Sequence, residues 1–284
     1  MVSVVVIPEG EVLVEVRYRY FPGCTVKGQA KTMEDAAIAA AAALGIKLEE
    51  LPQWQCCGAV FPLYDDESIS LLSPVRALVA AESLPLVSLC AACHHVLKRA
   101  QEMMRRNRCA RERVTGFLGA DYAGAGRVLH YLELLRDDYG FDRLKEKIQH
   151  SLHGRKIAAY YGCLLLRPPK VMQFDDPENP TIMEDFLSAL GAKPVISPYR
   201  VECCGSYLSV TEEQVASDTA DRIFLSMHAA GADCIITACP LCRHNLVNCA
   251  GDRSRLLPVY YFSELLAEAL GLADGLTVKE VAPR

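Results

Sequence analysis

The cysteines of this 284-residue chain form one spacing pattern that occurs twice. Each copy has a single Cys after a Gly, then a Cys-Cys-Gly triplet, then a Cys-x-x-Cys pair. The first copy uses Cys24, Cys56, Cys57, Cys90 and Cys93, and the second uses Cys163, Cys203, Cys204, Cys239 and Cys242. The flanking residues repeat as well: segments 21–24, 55–58, 88–95 and 128–135 match segments 160–163, 202–205, 237–244 and 259–266. Four matches in the same order indicate an internal duplication, and the long period predicts two homologous domains.

Each half alternates strand and helix signals. We expect strands at 17–21, 84–89, 156–161 and 232–238, and helices at 32–44, 94–108 and 181–190. Gly45 and Gly191 follow two of these helices in the position where glycine commonly ends a helix. The pattern predicts the α/β class, with a small parallel sheet, helices and a cysteine-rich cluster site in each domain. Cysteines at the carboxyl ends of parallel strands would converge on one edge of the sheet.

The expected domains are residues 1–150 and 151–284. Residues 1–16 are expected to form a hairpin added ahead of the first repeat, because apolar and polar residues alternate around Pro8 and Gly10. The polar, glycine-containing segment 109–127 is expected to be a loop-rich connection. Residues 138–155 are expected to link the halves.

The cysteine count limits where the protein works. There are 13 cysteines, an odd number, and the N-terminus lacks the basic start of a signal peptide. No stretch reaches the roughly 18 apolar residues of a membrane span. We therefore expect a cytoplasmic protein, in which reduced thiols bind metal or carry out redox chemistry. A net charge of −5 argues against a nucleic-acid binder that relies on bulk positive charge.

Five thiols per half exceed what common metal sites need. A structural zinc ion takes four ligands, and an ordinary cubane iron–sulfur cluster also takes four thiolates. A surplus ligand in both halves favours iron in a more open cluster. The glycine after each Cys-Cys would allow the backbone to pass close to such a cluster. Zinc and metal-free dithiol chemistry remain the alternatives at this point.

The pattern resembles the Cys-Cys-Gly domain that occurs twice in the B subunit of heterodisulfide reductase. Segments 160–169 (YYGCLLLRPP) and 175–180 (DDPENP) are similar to that protein in particular. Paired copies also occur in lactate-utilisation proteins, in glycolate oxidase iron–sulfur subunits and in some fumarate reductase anchor subunits. The resemblance covers about residues 17–270.

The resemblance implies a catalytic role in a complex. Each set of five cysteines would hold a non-cubane [4Fe-4S] cluster, and a small disulfide would be cleaved to two thiols between the two clusters. The chain has neither a ferredoxin-type cysteine run nor a G-x-G-x-x-G fingerprint after a strand. Its electrons would therefore come from the ferredoxin-like C subunit and the flavin-containing A subunit of such a complex. Gly58 stands where the proteins of hydrogenotrophic methanogens tend to carry Pro. A bacterial-type relative that acts on another disulfide, or on a sulfur carrier, is therefore at least as good an interpretation as one that acts on the methanogens' disulfide.

Other residues have weaker candidate roles. His95 and His244 lie two residues past each Cys-x-x-Cys, where they could donate hydrogen bonds to cluster sulfur or merely pack the helix. Arg167 could clamp an anionic group of the substrate. The basic run 98–113 could meet an acidic partner or simply be solvated. Cys109, Cys234 and Cys249 have no counterpart in the other half and are expected to be incidental thiols.

Three hypotheses remain: a disulfide reductase subunit, an electron-relay subunit of a lactate- or glycolate-oxidising complex, and a zinc-stabilised module. No cubane motif that would supply a relay occurs elsewhere in the chain. The first hypothesis is therefore preferred, which makes the protein an oxidoreductase.

Overall fold

The computed structural model describes residues 2–6, 12–59, 67–81, 84–252, 254 and 256–272. Contacts divide the chain into two compact units, Met1–Tyr131 and Leu132–Arg284. Among the described residues, no helix combines the length and the apolar character needed to cross a membrane.

The sheet of the first unit is built around one long strand. Its strands are β1 (Val2–Val6), β2 (Val12–Phe21), β3 (Ile46–Glu50), β4 (Leu86–Ser88) and β5 (Val128–His130). β1 pairs antiparallel with residues 12–16 of β2, which confirms the predicted hairpin; its turn lies outside the described residues. The other four strands are parallel in the order β3-β2-β4-β5. The hairpin thus extends the first strand of the repeat and leaves its parallel pairing intact.

The sheet of the second unit has the same topology. Its strands are β6 (Lys156–Tyr160), β7 (Lys193–Val195), β8 (Cys234–Thr237) and β9 (Val259–Tyr261). They are parallel in the order β7-β6-β8-β9, which matches β3-β2-β4-β5 strand for strand. β4 and β8 are buried along their whole length, as expected for central strands covered on both faces. The predicted duplicated α/β fold is confirmed.

Helices connect these strands. The first unit has α1 (Cys24–Lys27), α2 (Lys31–Ala43), α3 (Glu67–Ala80), α4 (Ala91–Arg106) and α5 (Arg108–Leu118). Across the boundary follow α6 (Tyr131–Glu133), a π-helical segment (Leu134–Tyr139) and α7 (Phe141–Lys145). The second unit continues with α8 (Pro169–Met172), α9 (Ile182–Ala189), α10 (Glu213–Ala229), α11 (Pro240–Cys249) and α12 (Phe262–Ala269), with 3₁₀ turns at Pro198–Val201 and Ser206–Leu208. Gly45 and Gly191 follow α2 and α9 with positive φ, as predicted.

The expectation of a loop-rich segment at 109–127 holds only for residues 119–127, and the linker expected at 138–155 is wrong. Segment 109–127 begins with a helix, because α5 starts at an Asn107 side chain that accepts a hydrogen bond from Ala110 N at 3.0 Å and ends at left-handed Gly119. Residues 138–155 do not form a free linker. The Phe141 ring packs against Phe186 at 6.2 Å, and Leu152 N donates to Leu190 O at 3.0 Å. Residues 132–150, assigned above to the first domain, therefore pack as part of the second unit.

Candidate metal centre

The single cysteine and the Cys-x-x-Cys pair of each half follow the ends of parallel strands, whereas the Cys-Cys pairs lie in loops. Cys90 follows β4 and is the N-cap of α4, so Cys93 lies in the first turn of that helix. Cys239 follows β8 and is the N-cap of α11, with Cys242 in its first turn. The positive end of the helix dipole favours a thiolate at these positions. The first cysteines of the two halves follow the ends of β2 and β6.

The five sulfur atoms of the first half contact one another in a row. The Cys24 and Cys56 Sγ atoms are 3.3 Å apart, and the Cys57 and Cys93 Sγ atoms are 3.5 Å apart. Cys56 also shares a hydrogen bond with Cys57, and Cys93 with Cys90. We call these residues the first cysteine row, which runs Cys24, Cys56, Cys57, Cys93, Cys90.

The second half repeats this order of contacts. Cys163 shares a hydrogen bond with Cys203, and Cys203 with Cys204. Cys204 contacts Cys242, which contacts Cys239. The second cysteine row therefore runs Cys163, Cys203, Cys204, Cys242, Cys239. The structure brings together all ten cysteines that the sequence singled out, five in each unit.

Each row has an accessible end and a buried end. Cys24, Cys56 and Cys203 are exposed and Cys163 is half-buried, whereas the other three cysteines of each row are buried. A group held by the row would be anchored in the protein at one end. The first cysteine and the first member of the Cys-Cys pair would remain within reach of solvent.

Hydrogen bonds within each row redistribute the protons of the thiols. The hydrogen bonds of Cys57 with Cys56 and, to a smaller extent, with Cys93 lower the pKa of Cys57 to about 4. Those shared with Cys163 and then Cys204 lower the pKa of Cys203 to about 2. The same contacts, together with burial, raise the pKa of Cys93 and of Cys242. Each row thus favours a thiolate, the form that binds metal and attacks disulfides.

The glycine before the first cysteine of each row is required by sulfur packing. Gly23 has φ +76°, and a Cβ there would lie 2.7 Å from Cys93 Sγ. Gly162 has φ +63°, and a Cβ there would lie 3.0 Å from Cys242 Sγ. The repeated Gly-Cys dipeptide was the sequence signal for this contact. The expected approach of the backbone to a cluster at the glycine after each Cys-Cys stays a prediction.

Other side chains hold the Cys-Cys loops in place, and sequence reasoning missed them. Ser73 Oγ, on α3, donates to Cys56 O at 2.6 Å. In the second half the buried Asn245 side chain, on α11, donates to Cys204 O instead. Tyr160 OH donates to Glu202 O at 2.8 Å, next to the Cys203-Cys204 pair. These partners differ between the halves, so no repeated residue type could have revealed them.

The weaker candidates have the following positions. His244 is exposed, and its Nδ1 lies 3.1 Å from Asn248 Nδ2 on the same helix, whereas His95 is half-buried on α4. Arg167 donates to Glu178 Oε1 at 2.8 Å and to Val201 O at 3.2 Å. The hydrogen-bonding of His95 and His244 to a cluster and the binding of substrate by Arg167 stay predictions.

The three unmatched cysteines differ in their surroundings. Cys109 is exposed on α5, and Cys234 is buried at the start of β8. Cys249 donates to Asn245 Oδ1 at 3.1 Å, and Asn245 in turn holds the Cys204 loop. Cys249 is therefore an indirect support of the second row.

The donor set fits a sulfur-bound polynuclear group. Within the described ranges, no three His, Cys, Asp or Glu side chains are arranged to hold a single metal ion. The sulfur atoms instead lie in rows of five, one more than a tetrahedral zinc ion takes. Soft thiolates suit iron–sulfur clusters, in which different irons bind different cysteines.

Comparison with known proteins agrees with this arrangement. The Cysteine-rich domain (CCG) family matches residues 18–98 and again residues 157–247. The chain therefore belongs to this family and carries two copies of the domain. Each copy includes one complete cysteine row.

Two relatives match along nearly their whole length. The chain is 32% identical over 275 residues to the 8-methylmenaquinol:fumarate reductase membrane anchor subunit of Wolinella succinogenes, covering 93% of this chain and 94% of that one. It is 28% identical over 284 residues to the B subunit of the ferredoxin:CoB-CoM heterodisulfide reductase of Methanosarcina mazei, covering 92% of each. The predicted resemblance to the B subunit of heterodisulfide reductase is thus confirmed.

A solved structure shares the fold. A hypothetical protein from Helicobacter pylori superposes with a TM-score of 0.68 at 13% identity. The match covers 90% of this chain and 49% of that one, so this chain spans about half of its length. At this identity the likeness concerns the fold alone.

Proposed function

We propose that this protein is the catalytic iron–sulfur subunit of a heterodisulfide reductase-like complex. Each cysteine row would hold one non-cubane [4Fe-4S] cluster through all five of its sulfur atoms. The observation that carries the proposal is the matching order of contacts in the two rows, each with accessible cysteines at one end. A small disulfide can reach such an end without unfolding of the domain.

The proposed reaction is the two-electron reduction of a disulfide. RSSR′, two electrons and two protons give RSH and R′SH, so the S–S bond breaks and both sulfurs are reduced. The clusters would supply one-electron chemistry, and two copies match the two electrons that one S–S bond requires. The chain's own residues would anchor the groups, keep one side of each accessible and favour the thiolate form of Cys57 and Cys203, in which these cysteines bind metal.

The electrons would come from partner proteins. We propose that the direct donor is a ferredoxin-like C subunit, with a flavin-containing A subunit behind it, in a cytoplasmic complex. The methanogen relative is named for ferredoxin as its electron donor, which supports an iron–sulfur partner. The substrate proposed here is a small disulfide.

A second candidate function is electron relay. The Wolinella relative belongs to a fumarate reductase and is 32% identical to this chain. In a complex of that kind, or in one that oxidises lactate or glycolate, the two clusters would pass electrons without binding a disulfide. This alternative needs the cysteine rows as metal ligands but does not need their accessible ends.

The two functions are separated by the response to thiol. Iron and acid-labile sulfide would be measured on anaerobically purified protein, followed by EPR of the oxidised form with and without a thiol. The proposal predicts about eight irons per chain, as two four-iron clusters require, and a signal that changes when thiol is added. About eight irons without a thiol response would favour relay. Zinc in place of iron would overturn both.

A further inference from the structure

The residue directly after each Cys-x-x-Cys differs between the halves. Cys93 is followed by His94, whereas Cys242 is followed by Arg243. The last residue of the last strand differs too, since β5 ends at His130 and β9 ends at Tyr261. In the first half the His94 and His130 rings contact edge to face at 5.7 Å. In the second half the Arg243 guanidinium carbon lies 4.6 Å from the centre of the Tyr261 ring.

Arg243 is held in this position by two contacts. Its Nε donates to Val259 O at 2.8 Å, and its guanidinium stacks on Tyr261. A guanidinium fixed by a hydrogen bond and an aromatic ring keeps its charge in one place. Arg243 itself lies in the first turn of α11, whose N-cap is Cys239.

Backbone contacts place Arg243 and Tyr261 beside the buried end of the second row. Arg243 N donates a hydrogen bond to Cys239 O at 3.0 Å. Tyr261, on which the guanidinium stacks, is the strand partner of Thr237 in β8, and Thr237 Oγ1 accepts a hydrogen bond from Cys239 N at 3.3 Å. The fixed positive charge is therefore held next to the strand end and the helix turn that carry Cys239 and Cys242.

We propose that Arg243 makes the metal group of the second cysteine row easier to reduce than that of the first. The inference rests on the proposed iron–sulfur function. Each added electron makes the group more negative, and a nearby permanent cation stabilises that form, strongly where water is partly excluded. An imidazole carries no permanent charge.

The cations beside the first row are offset. Arg76, which donates to Gln55 Oε1 next to Cys56, is exposed to water, which screens its charge. Lys27 is paired with Glu34 and Glu50. Lys98 lies five residues past Cys93, whereas Arg243 directly follows Cys242 and is half-buried.

This asymmetry gives the two halves different roles. The first electron from the partner would settle in the second half, and the first half would be reduced only afterwards. The two electrons needed for one disulfide would therefore accumulate in a fixed order. A duplicated protein with identical sites would have no such order.

The test is a redox titration of the iron-loaded chain, followed by EPR. The signals of the two halves would be assigned by their loss in C57A and C204A. In the wild-type protein we expect the second-half signal to titrate at the higher midpoint potential. R243Q should shift that potential downward and leave the first-half potential unchanged. R243K, which keeps the positive charge, should stay nearer to wild type than R243Q.

The control removes the same charge elsewhere in the second unit. Arg222 is exposed on α10 and donates within its own helix, to Asp218 O and Thr219 Oγ1, so R222Q should leave both potentials unchanged. Equal wild-type potentials, or a higher potential in the first half, would overturn the inference even if R243Q failed to bind iron. An equal downward shift of both halves in R243Q would do the same. Wild-type protein without iron would instead refute the proposed function itself.

Discussion

Gly23 and Gly162 show how closely single residues are matched to the sulfur rows. Both have positive φ, and Gly23 combines it with a ψ of +154°, a conformation that costs a residue with a Cβ about 1–3 kcal/mol. At both positions an added Cβ would contact the sulfur of the second cysteine of the Cys-x-x-Cys pair. Backbone strain and sulfur contact can be separated experimentally, because other glycines of the chain have the first property without the second.

Substitution G23A is expected to expel the metal group of the first half. The new Cβ would lie 2.7 Å from Cys93 Sγ, so the sulfur or the Cys24 loop must move. Gly140 is the matched control, since its φ of +90° and ψ of +130° are close to those of Gly23 and a Cβ added there would meet no atom within 4 Å. We expect G140A to lose about 1–3 kcal/mol of unfolding free energy from backbone strain alone and to keep its iron. Iron analysis and urea unfolding would check both; an iron-free G140A, or a fully loaded G23A, would contradict the sulfur-contact argument.

At the scale of elements, a buried glutamate on the equivalent helices α2 and α9 fastens each helix to the loop of the first cysteine. Glu34 in α2 accepts hydrogen bonds from Tyr20 OH at 3.2 Å and from Lys31 Nζ at 2.8 Å, and it pairs with Lys27 of α1 at 2.9 Å. Its counterpart Glu184, in the first turn of α9, accepts from Tyr161 OH and pairs with Arg200. The same Met-Glu-Asp sequence thus serves both halves with different cations.

Substitution E184Q should therefore be costly. The Arg200 side chain is almost fully buried, and removing its carboxylate partner leaves that charge without its ion pair. Loss of one partner of a buried pair typically costs about 3–5 kcal/mol of unfolding free energy. Because Arg200 O accepts from the backbone N atoms of Tyr161 and Gly162, at 2.9 and 3.3 Å, the Cys163 loop should loosen as well. Urea unfolding and iron content of the second half are the measurements.

The exposed ion pair between Arg167 and Glu178 provides the comparison for that experiment. The Glu178 side chain is 75% exposed, so E178Q should cost less than about 1 kcal/mol. Similar losses for E184Q and E178Q would show that the buried carboxylate has no special role.

At the scale of the whole molecule, the sequence predicted the repeated features and the N-terminal hairpin, and it failed on packing that does not repeat. Spacing and flanking residues were sufficient for two parallel sheets, the cysteine rows and the family, because these features occur twice in the same order. The helix α5 was missed because its start depends on the Asn107 side chain within a polar, glycine-containing segment. The packing of residues 132–150 was missed because it depends on contacts such as that between Phe141 and Phe186, far apart in sequence. The sequence did not pair His94 with His130 or Arg243 with Tyr261, because each contact depends on where the last strand of the sheet ends.

The duplication also predicts that the two metal groups are bound independently. Each row lies within one unit, and the contacts described for each row involve cysteines of that unit alone. Substitution C57A removes the sulfur that joins Cys56 to Cys93 in the first row, and C204A removes its equivalent in the second. Each variant is therefore expected to lose about half of the bound iron.

The two variants should lose complementary EPR signals, because each retains the row that the other has lost. C109A is the matched control, since Cys109 is exposed on α5 and has no place in either row; it should keep all of its iron. Loss of iron from both halves in C57A would mean that one group is needed to fold or assemble the site of the other. Full iron in both C57A and C204A would mean that four sulfurs are enough, and the fifth cysteine of each row would then have to serve the substrate rather than the cluster.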